Sequence, residues 1–550
     1  MNVAEAVGRA VAELAKAGPG APRAFGVVGS GNFHVTNALV RHGVPFVAAR
    51  HEGGAITMAD AYARLSGTVG VVSVHQGPGL TNALTGLAEA AKSRTPLLVL
   101  AGEATSPTSN FRIDQDALAV AVGAAAERVR APETALADVA RAWRTAREGR
   151  TVLLNLPLPV QESALPGTFR TPRVPAPVPA APDPAGVDAL AALLAAAERP
   201  VFVAGRGARG ARRELEALGE RAGALLATSA VAKGLFRGGP WDLDVSGGFS
   251  SPLAAELIAG ADLIVGWGCA LNMWTMRHGR LIGPGAKVVQ VDHDPAALGA
   301  HRPVDLGVAG DVAAVARAAA DALDRLGAPA GGRYRTAEVG RRIAARVRWR
   351  DEPYRDETGG GRIDPRTLTI RLDDLLPAER VVAVDSGNFM GYPSMLLSVP
   401  DENAFCFTQA FQSVGLGLAT AIGAALAQPH RLPVAALGDG GAFMAAAELE
   451  TVVRLGLPML IVVYDDEAYG AEVHHFGPDG HPLDLVEFPP ADLAAIGRGF
   501  GCAAVTVREP ADLAAVADWV AGPRDRPMLV DAKVTRERGA WWLEEAFRGH

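Results

Sequence analysis

The sequence predicts an α/β protein with three domains, each built on a mostly parallel β-sheet flanked by helices. The chain has 550 residues, whereas a single hydrophobic core stops growing at about 250–300 residues. Short apolar runs alternate with Ala-rich helical patterns along most of the chain, as in βαβ units with parallel strands. One Pro-rich stretch and one Arg-rich polar stretch interrupt this alternation and divide the chain into three blocks.

A first domain is predicted over residues 1–162. Its strand-like runs are residues 24–28, 46–49, 69–74, 97–101 and 151–156. A Pro-rich linker is predicted over residues 163–185, because each proline fixes its own φ and removes a backbone donor.

A central domain is predicted over residues 186–330. Its strand-like runs are residues 200–204, 263–267 and 287–291. Residues 331–361 are polar and Arg-rich, and they are predicted to form a connector that contains a helix. A third domain is predicted over residues 362–550. Its strand-like runs are residues 381–384, 434–437, 459–464 and 528–531.

Composition argues against several classes of partner. The formal charge at pH 7 is −7, and nucleic-acid binders usually show a basic face, so no nucleic-acid partner is expected. The three cysteines, Cys269, Cys406 and Cys502, lie far apart, so no disulfide framework is expected. No apolar stretch approaches the roughly 20 residues that span a bilayer, and the first residues do not resemble a signal peptide. We therefore expect a cytoplasmic protein without a membrane partner.

The clearest chemistry lies in the third domain, at the ends of two predicted strands. One strand ends in Gly438-Asp439-Gly440-Gly441, which turns into a helix predicted over residues 442–455, and the next strand ends in Asp465-Asp466. A strand–helix–strand unit is almost always right-handed with parallel strands. Asp439 and Asp466 are therefore expected at the same carboxyl edge, where open α/β sheets bind ligands.

A ligand with a phosphate group and a divalent cation fits this edge. Glycines let the backbone approach a ligand closely, and the start of a helix offers free N–H groups to phosphate. A phosphate beside two carboxylates needs a cation between them, and Mg²⁺ prefers oxygen ligands of this kind. The alternative is an ordinary tight turn whose acidic side chains face solvent.

This segment resembles the thiamine diphosphate motif of the acetolactate synthase family, whose relatives include pyruvate decarboxylase, benzoylformate decarboxylase and benzaldehyde lyase. The resemblance rests on Gly438-Asp439-Gly440, Glu448, Leu457-Pro458 and Asp465-Asp466. It implies that Asp439, Asp466 and the backbone carbonyl of Ala468 hold Mg²⁺. The family usually has Asn-Asn at 465–466, so this metal site is expected to be one charge more negative.

A second signature lies in the first domain, where a strand ends in Arg50-His51-Glu52 and a helix begins at Gly53-Gly54. This segment resembles the one that carries the cofactor-activating glutamate of the same family. Thiamine diphosphate must lose a proton from carbon 2, and a carboxyl group hydrogen-bonded to its aminopyrimidine ring promotes this step. A carboxyl in an apolar pocket has a raised pKa and shares its proton at neutral pH, so Glu52 is the predicted activator. The alternative is an acid that only caps the helix dipole.

Further cofactor contacts follow from the same resemblance. Gly77 lies in a turn similar to the family's SGPG-type loop, with Gln76 where Ser is commoner. Gly387 and Asn388 correspond to a loop that touches the diphosphate, and Val414 to the apolar residue beneath the cofactor. The remaining predicted contacts surround the metal motif and are Gly438, Asp439, Gly440, Gly441, Asp466, Ala468, Tyr469 and Gly470.

The residues that act on substrate are less clearly marked. Gln115 resembles the glutamine of the IDQ stretch in lyase-type members, and Glu472 stands where pyruvate decarboxylases keep a proton-relay glutamate. His75 and Gln76 are predicted to face the reactive carbon, and a His or Glu there moves protons. Further candidates are Ser30, Asn32, His34, His474 and His475. The alternative for each of these is an ordinary core or surface residue.

The central domain contains a literal G-x-G-x-x-G at residues 205–210, which by itself suggests NAD. The next strand-like run, residues 224–228, is followed by Ser229 and lacks the acid that binds a ribose. Acetolactate synthases bind FAD in this domain, and many relatives bind none. The sequence therefore favours a central domain without a nucleotide, with FAD as the alternative.

Together these motifs predict a carboligase similar to acetolactate and acyloin synthases. Such an enzyme decarboxylates a 2-oxo acid such as pyruvate and transfers the acyl-anion equivalent to an acceptor carbonyl. The closest alternative is a 2-oxo acid decarboxylase or C–C lyase that releases an aldehyde; an NAD-dependent dehydrogenase and a non-catalytic thiamine-binding scaffold are the others. In the family the cofactor lies between the first domain of one subunit and the third domain of another, so a homodimer or homotetramer is expected.

Overall fold

Three α/β domains follow one another along the chain, each with a six-stranded sheet flanked by helices. All neighbouring strands within the sheets are parallel. The structure is a computed structural model and describes residues 1–546. The predicted fold class is confirmed. Within residues 1–546, none of the helices has the length and apolarity that crossing a membrane requires.

The first domain opens with a capped helix and ends with a short helix after its last strand. Its elements are α1 (Val3–Lys16), β1 (Ala24–Gly26), α2 (Phe33–Arg41), β2 (Phe46–Ala48), α3 (Glu52–Ser66), β3 (Gly70–Val74), α4 (Pro78–Asn82), α5 (Leu84–Lys92), β4 (Leu97–Glu103), α6 (Gln115–Ala121), β5 (Ala125–Arg128), α7 (Ala135–Arg147), β6 (Thr151–Pro157) and α8 (Leu158–Glu162). The strand order is β2-β1-β3-β4-β6-β5. Strands β3, β4 and β6 are buried along their whole length, as expected where helices cover both faces of a parallel sheet.

The central domain has the doubly wound strand order of dinucleotide-binding folds. Its elements are α9 (Pro184–Ala196), β7 (Pro200–Ala204), α10 (Arg212–Ala222), β8 (Leu225–Thr228), β9 (Asp242–Val245), α11 (Pro252–Ala259), β10 (Leu263–Trp267), β11 (Lys287–Asp292), β12 (Leu306–Ala309) and α12 (Val312–Arg325). The order β12-β11-β10-β7-β8-β9 places the reversal of the strand order between β7 and β10. The prediction of a Rossmann-like central domain agrees with this order.

The third domain repeats the strand order of the first. After α13 (Ala337–Arg346) in the connector, its elements are α14 (Pro365–Leu375), β13 (Arg380–Val384), α15 (Gly391–Leu396), β14 (Phe405–Phe407), α16 (Gly417–Ala427), β15 (Leu432–Gly438), α17 (Asp439–Met444), α18 (Glu448–Arg454), β16 (Leu460–Asp465), α19 (Gly470–Phe476), α20 (Leu493–Phe500), β17 (Ala503–Val507), α21 (Ala514–Ala521), β18 (Met528–Lys533) and α22 (Trp541–Ala546). The order β14-β13-β15-β16-β18-β17 is the first domain's order shifted in numbering.

Of the eighteen strands in the described part of the chain, five were not predicted, and all five lie at sheet edges. They are β5, β9, β12, β14 and β17. An interior parallel strand is buried on both faces and reads as a continuous apolar run, whereas an edge strand needs no such run. Strands β5 and β17 are half-exposed along most of their length, and β14 has only three residues.

The helix predicted over residues 442–455 is wrong, because the chain forms two helices there. Helix α17 begins at Asp439, earlier than predicted, and ends at Met444, and α18 begins at Glu448. Between them, the N–H groups of residues 448–450 bond to carbonyl oxygens three residues earlier. This turn is tighter than an α-helix, and it separates α17 from α18.

Helix α3 packs along α16 and joins the first domain to the third. One hydrophobic cluster crosses this contact and includes Met58, Tyr62, Leu418 and Ile422. The helices approach closely, since a Cβ added at Gly423 would lie 2.2 Å from the Met58 carbonyl oxygen. The two domains of one chain therefore share a continuous core.

A buried ion cluster at Arg64 links all three domains. The Arg64 guanidinium donates to Asp60 at 2.5 Å and to Glu89 at 2.9 Å, and to the Phe407 carbonyl oxygen of the third domain at 3.2 Å. Arg209 of the central domain donates to the Arg64 carbonyl oxygen at 2.9 Å. Only 6% of the Arg64 side chain is exposed, so its charge depends on these partners.

Gly423→Ala tests the contact between α3 and α16. The added Cβ overlaps the Met58 carbonyl, and overpacking of this kind costs about 1–3 kcal/mol. We expect the free energy of unfolding in urea to fall by that amount. Gly499→Ala is the matched control, since nothing lies within 4 Å of its added Cβ inside α20, and alanine favours a helix. Equal stability of the two variants would contradict the close approach.

Candidate active site

Two sets of polar residues follow strands at the carboxyl edges of the first and third sheets. In both sheets the strand order reverses beside the first strand, β1 or β13, and ligands of open α/β sheets bind at such points. In the third domain, Asp385 follows β13, Asp439 follows β15 and Asp466 follows β16. The register pairs Gly438 with Tyr464, so the turns after β15 and β16 lie side by side.

Asp439 and Asp466 are neighbouring buried acids, 6% and 8% exposed. Burial, and after it the negative charge of Asp466, raises the pKa of Asp439 to about 8. Burial also raises the pKa of Asp466 to about 6, while the Asn388 side-chain amide, 3.5 Å from its Oδ2, opposes the shift. Two buried carboxylates that repel each other form a donor set for a divalent cation with a preference for oxygen.

Unlike Asp439 and Asp466, Asp465 is paired with a buried lysine. Asp465 and Lys533 are opposite residues on β16 and β18, and the Lys533 ammonium contacts the Asp465 carboxylate. The same ammonium lies 3.3 Å from Asp531 and donates to the Ala491 carbonyl oxygen at 2.9 Å. Of the two consecutive aspartates, only Asp466 therefore brings a charge without a nearby lysine.

Two glycines of the predicted cofactor set are required by close contacts. A Cβ at Gly470 would lie 2.2 Å from the Asp466 carboxylate and 3.1 Å from the Asn388 amide nitrogen, and one at Gly440 would lie 2.7 Å from the Tyr469 ring. The backbone after Asp466 also turns sharply, with φ of +60° at Glu467. The structure thus brings Asn388, Asp439, Asp466, Tyr469 and Gly470 together.

Asp385 connects the loop of Val414 to this edge, a role that sequence reasoning missed. Its fully buried carboxylate accepts the N–H groups of Ser386 and Gly415 at 2.8 and 3.1 Å. Burial raises the pKa of Asp385 to about 6, although the backbone hydrogen bonds oppose the shift. A Cβ at Gly441 would lie 2.3 Å from this carboxylate and 3.4 Å from Val414. Asp385 therefore positions Val414 against the Gly438–Gly441 turn.

Glu52 is the first residue of α3 at the carboxyl edge of the first sheet. It is half-buried, and its Oε2 accepts the Asn82 amide at 3.0 Å. The helix start is capped by His51, whose Nδ1 accepts the Gly53 N–H at 3.0 Å. The N-cap hydrogen bond therefore comes from His51, and among the described residues no hydrogen bond occupies the second carboxylate oxygen of Glu52.

His75 and Ser30 lie together at the same edge, after β3 and β1. The His75 Nδ1 is 2.9 Å from the Gln76 carbonyl oxygen, which can only accept, so Nδ1 carries the proton. In that tautomer Nε2 is an acceptor, and the Ser30 hydroxyl lies 3.3 Å from it. The Phe111 ring packs edge-on against His75. A half-buried imidazole with a defined tautomer can take a proton at Nε2.

Gln76, Gln115 and Asn32 point into the domain rather than toward the edge. Gln115 is fully buried. Its Nε2 donates to the Gly102 carbonyl oxygen and to the Asn155 Oδ1, and its Oε1 accepts the Gly77 N–H at 3.2 Å. Asn32 is fully buried and bonded to its own domain. Gln76 is buried beside Gly31, and its Oε1 has no hydrogen-bond partner among the described residues. In this structure Gln115 supports the Gly77 turn, and its contact with substrate stays a prediction.

The remaining candidates lie in α19 and α2. Glu472 and His474 are half-buried, whereas His475 and His34 are exposed. Burial lowers the pKa of His474, so it is neutral at neutral pH. The roles predicted for these residues, and for the Ala468 carbonyl as a metal ligand, stay predictions.

The two edges belong to different domains, and no hydrogen bond in residues 1–546 joins Glu52 to Asp439 or Asp466. Large apolar side chains are exposed around both edges. They are Val28, Phe33 and Phe111 in the first domain, and Phe411, Val414, Phe443, Met444, Tyr469 and Phe476 in the third. Exposed large apolar side chains grouped at two sheet edges are typical of surfaces that meet a partner or a ligand.

A cavity of about 1000 Å³ lies at the carboxyl edge of the central sheet, against the other two domains. Gly205 and Gly207 need no ligand to explain them, since added Cβ atoms would meet the backbone at Gly268. Arg206 is different: it lines the cavity, and its side chain has no hydrogen-bond or ion-pair partner among residues 1–546. Burial, and then the charges of Arg64 and Arg209, lowers the pKa of Arg206 to about 9. An unpaired, partly desolvated cation favours an anionic occupant.

Each of the three domains matches one family of known domains. Residues 5–121 match "Thiamine pyrophosphate enzyme, N-terminal TPP binding domain", and residues 187–319 match the central domain of the same enzymes. Residues 385–532 match "Thiamine pyrophosphate enzyme, C-terminal TPP binding domain". The matches include Glu52 in the first and Asp439 and Asp466 in the last.

Curated relatives are similar over most of the chain. The "Probable 2-ketoarginine decarboxylase AruI" of Pseudomonas aeruginosa is 30% identical over 90% of this chain and 88% of its own. A sulfoacetaldehyde acetyltransferase of Rhodobacter capsulatus is 30% identical over 96% and 94%. The acetolactate synthase large subunit of Parasynechococcus marenigrum is 28% identical over 90% and 81%. These relatives carry out more than one reaction, so their names alone do not identify the substrate.

Proposed function

The chain belongs to the thiamine pyrophosphate enzymes that form or break C–C bonds, and on that premise we propose that it is a Mg²⁺-dependent carboligase. It decarboxylates a 2-oxo acid such as pyruvate and transfers the acyl unit to an acceptor carbonyl. The observation that carries the proposal is the pair of sites at two sheet edges, Glu52 in the first domain and Asp439 with Asp466 in the third. The names synthase and acetyltransferase among the relatives support transfer of the acyl unit rather than its release.

The third-domain edge fits a diphosphate bound through Mg²⁺. Thiamine diphosphate, when bound, supplies an acidic carbon that becomes the nucleophile of the reaction. Asp439 and Asp466 would hold the metal together with the Ala468 carbonyl, and their mutual repulsion explains why a cation belongs between them. Gly387, Asn388 and the start of α17 would contact the diphosphate, because a helix start offers free N–H groups to phosphate.

Glu52 would bind the aminopyrimidine ring through the carboxylate oxygen that Asn82 does not occupy. Its carboxyl group would donate a hydrogen bond to a ring nitrogen and share that proton with the ring, which would promote the carbon-acid chemistry that the bound cofactor supplies. Val414, held by the loop that Asp385 anchors, would support the cofactor from below. His75 would move protons at Nε2 for substrate groups, with Ser30 as its hydrogen-bond partner, and Glu472 would do so from the third domain.

The main alternative is a 2-oxo acid decarboxylase. One of the relatives is named as a decarboxylase of this kind. A carboligase and a decarboxylase share the machinery above and differ in whether a carbonyl acceptor or a proton ends the reaction. Supplying pyruvate with and without an added aldehyde, and identifying the products by NMR, separates them. A hydroxyketone product supports the proposal, and acetaldehyde alone in both cases contradicts it.

Glu52→Gln tests the proposed role of Glu52. A glutamine keeps the size of the side chain but cannot share a proton with the ring, so kcat is expected to fall by about 100-fold or more. Cofactor affinity, measured by fluorescence quenching with saturating Mg²⁺, is expected to change little. Activity near that of the wild type at saturating cofactor would contradict the proposed mechanism.

Active sites between subunits would explain the two exposed apolar edges, and complementation tests this arrangement. Chains carrying Glu52→Gln are co-expressed with chains carrying Asp439→Ala, and mixed dimers are purified through two different tags. If each site combines Glu52 of one chain with Asp439 of the other, one of the two sites in each mixed dimer is intact. We expect about half the wild-type kcat per dimer. No activity above that of the single variants would contradict it.

Arg206→Ala tests whether the central cavity binds a phosphate-bearing nucleotide. Loss of a charge-assisted hydrogen bond is expected to weaken binding of FAD or ADP by about tenfold or more, measured by calorimetry on the dialysed protein. Arg317→Ala is the control, because this exposed arginine of the same domain pairs with Glu214. If neither nucleotide binds the wild-type protein, the sequence-based expectation of a domain without a nucleotide stands and Arg206 has another role.

A further inference from the structure

We propose that Glu448 is a positioning residue that holds the turn carrying Glu52, and that it thereby affects cofactor activation without touching the cofactor. Glu448 begins α18 in the third domain, whereas Glu52 begins α3 in the first. The inference rests on the proposed role of Glu52 as the activating carboxyl group. It goes beyond that role, because it gives a residue of another domain control over how Glu52 is placed.

The contact is made through the backbone on one side and a buried carboxylate on the other. The Glu448 Oε1 accepts the N–H groups of Arg50 and His51, both at 3.1 Å, and its Oε2 accepts the Thr451 hydroxyl at 2.6 Å. Only 3% of Glu448 is exposed. Both carboxylate oxygens are thus used, and both amides belong to the two residues directly before Glu52.

Those two amides find their acceptor outside their own domain. Strand β2 ends at Ala48 and α3 begins at Glu52, so Arg50 and His51 lie between elements that would otherwise satisfy their N–H groups. Within residues 1–546, Glu448 is the acceptor that they have. Without this carboxylate both amides lose the acceptor that fixes them, and the turn is free to rearrange. Glu448 therefore selects one conformation of the turn, and with it the direction in which Glu52 leaves the sheet.

Gly54 supports the same contact from the opposite side. A Cβ added at this position would lie 2.4 Å from the Glu448 Oε1. Gly54 is inside α3, where any residue has suitable backbone angles, so its conformation does not require glycine. The close approach of the Glu448 carboxylate does. The second glycine after Glu52 is thus explained by a residue almost four hundred positions away.

The ion pair next to this contact is much more exposed than the Glu448 carboxylate. Arg50 pairs with Glu450, but these side chains are 52% and 30% exposed. Exposed pairs of this kind contribute little, because water screens them and both side chains lose freedom. Glu450 therefore offers a matched control: it belongs to the same helix turn, carries the same charge and touches the same residue, yet it does not hold the backbone.

The test measures exchange of the carbon 2 proton of bound thiamine diphosphate for deuterium, read by NMR after acid quench. In Glu448→Ala we expect this exchange to slow by about tenfold or more, because small displacements of a catalytic group have effects of this size. The cofactor Kd is expected to stay within about threefold of the wild type. Glu448→Gln keeps the Oε1 acceptor and is expected to restore the rate to within about threefold, as is the control Glu450→Gln.

Two further measurements complement this test: the first does not need the bound cofactor, and the second does not remove Glu448. In the cofactor-free protein, amide hydrogen exchange of residues 49–52 is expected to be faster in Glu448→Ala than in the wild type. Gly54→Ala keeps Glu448 but displaces its carboxylate, and it is expected to reproduce the slow carbon 2 exchange.

Normal carbon 2 exchange in Glu448→Ala, no recovery in Glu448→Gln, or a rate loss that follows entirely from weaker cofactor binding would each overturn the proposal. Glu52→Gln separates this failure from a failure of the proposed function. If Glu52→Gln slows carbon 2 exchange while Glu448→Ala does not, only the positioning role is wrong. If Glu52→Gln leaves the exchange rate unchanged, the activating role of Glu52 is wrong as well.

Discussion

The buried ion cluster at Arg64 is the constraint on which the arrangement of the three domains depends. Removing Arg64, Asp60 and Glu89 from water is costly, and the cost is offset only when charges pair and remaining donors find acceptors. Burial tends to raise the pKa of Glu89, but Arg64 and hydrogen bonds from backbone N–H groups of the third domain lower it overall. Arg209 brings in the central domain. The ion pairs themselves lie within the first domain, so a shift of either other domain would leave them paired but would remove hydrogen bonds from buried charged groups, at about 1.5–3 kcal/mol each.

At the carboxyl edge of the third sheet, by contrast, two buried acidic side chains lie beside each other. Asp465 is paired with Lys533, but Asp439 and Asp466 are buried beside each other, and burial with their repulsion raises the pKa of Asp439. Perturbed acids of this kind concentrate at functional sites, because a ligand or metal supplies the missing charge. Burying these two acids together destabilises the protein at the site that the cofactor would occupy. The lysine beside Asp465 offsets the charge of this third aspartate, which would otherwise add to the repulsion.

The interior of each sheet could be predicted from the sequence, and the edges could not. Strands such as β4 and β16 are buried on both faces and are continuous apolar runs. Edge strands such as β5 and β17 face solvent in part, so their sequences have no strong pattern. The break between α17 and α18 was missed for a related reason: the residues there have good helical propensity, and the tight turn before Glu448 depends on contacts that propensity does not report.

The sequence by itself determined the fold class, the thiamine pyrophosphate family and the position of Glu52, Asp439 and Asp466 at strand ends, since these follow from local patterns and short motifs. Only the tertiary structure decided which distant polar residues contact and orient the groups at these strand ends. Lys533 neutralises Asp465 across adjacent strands, Asp385 anchors the loop of Val414, and Glu448 holds the turn before Glu52. Each of these contacts joins residues far apart in the chain, and no periodicity or spacing in the sequence records which distant groups meet when the sheets pack.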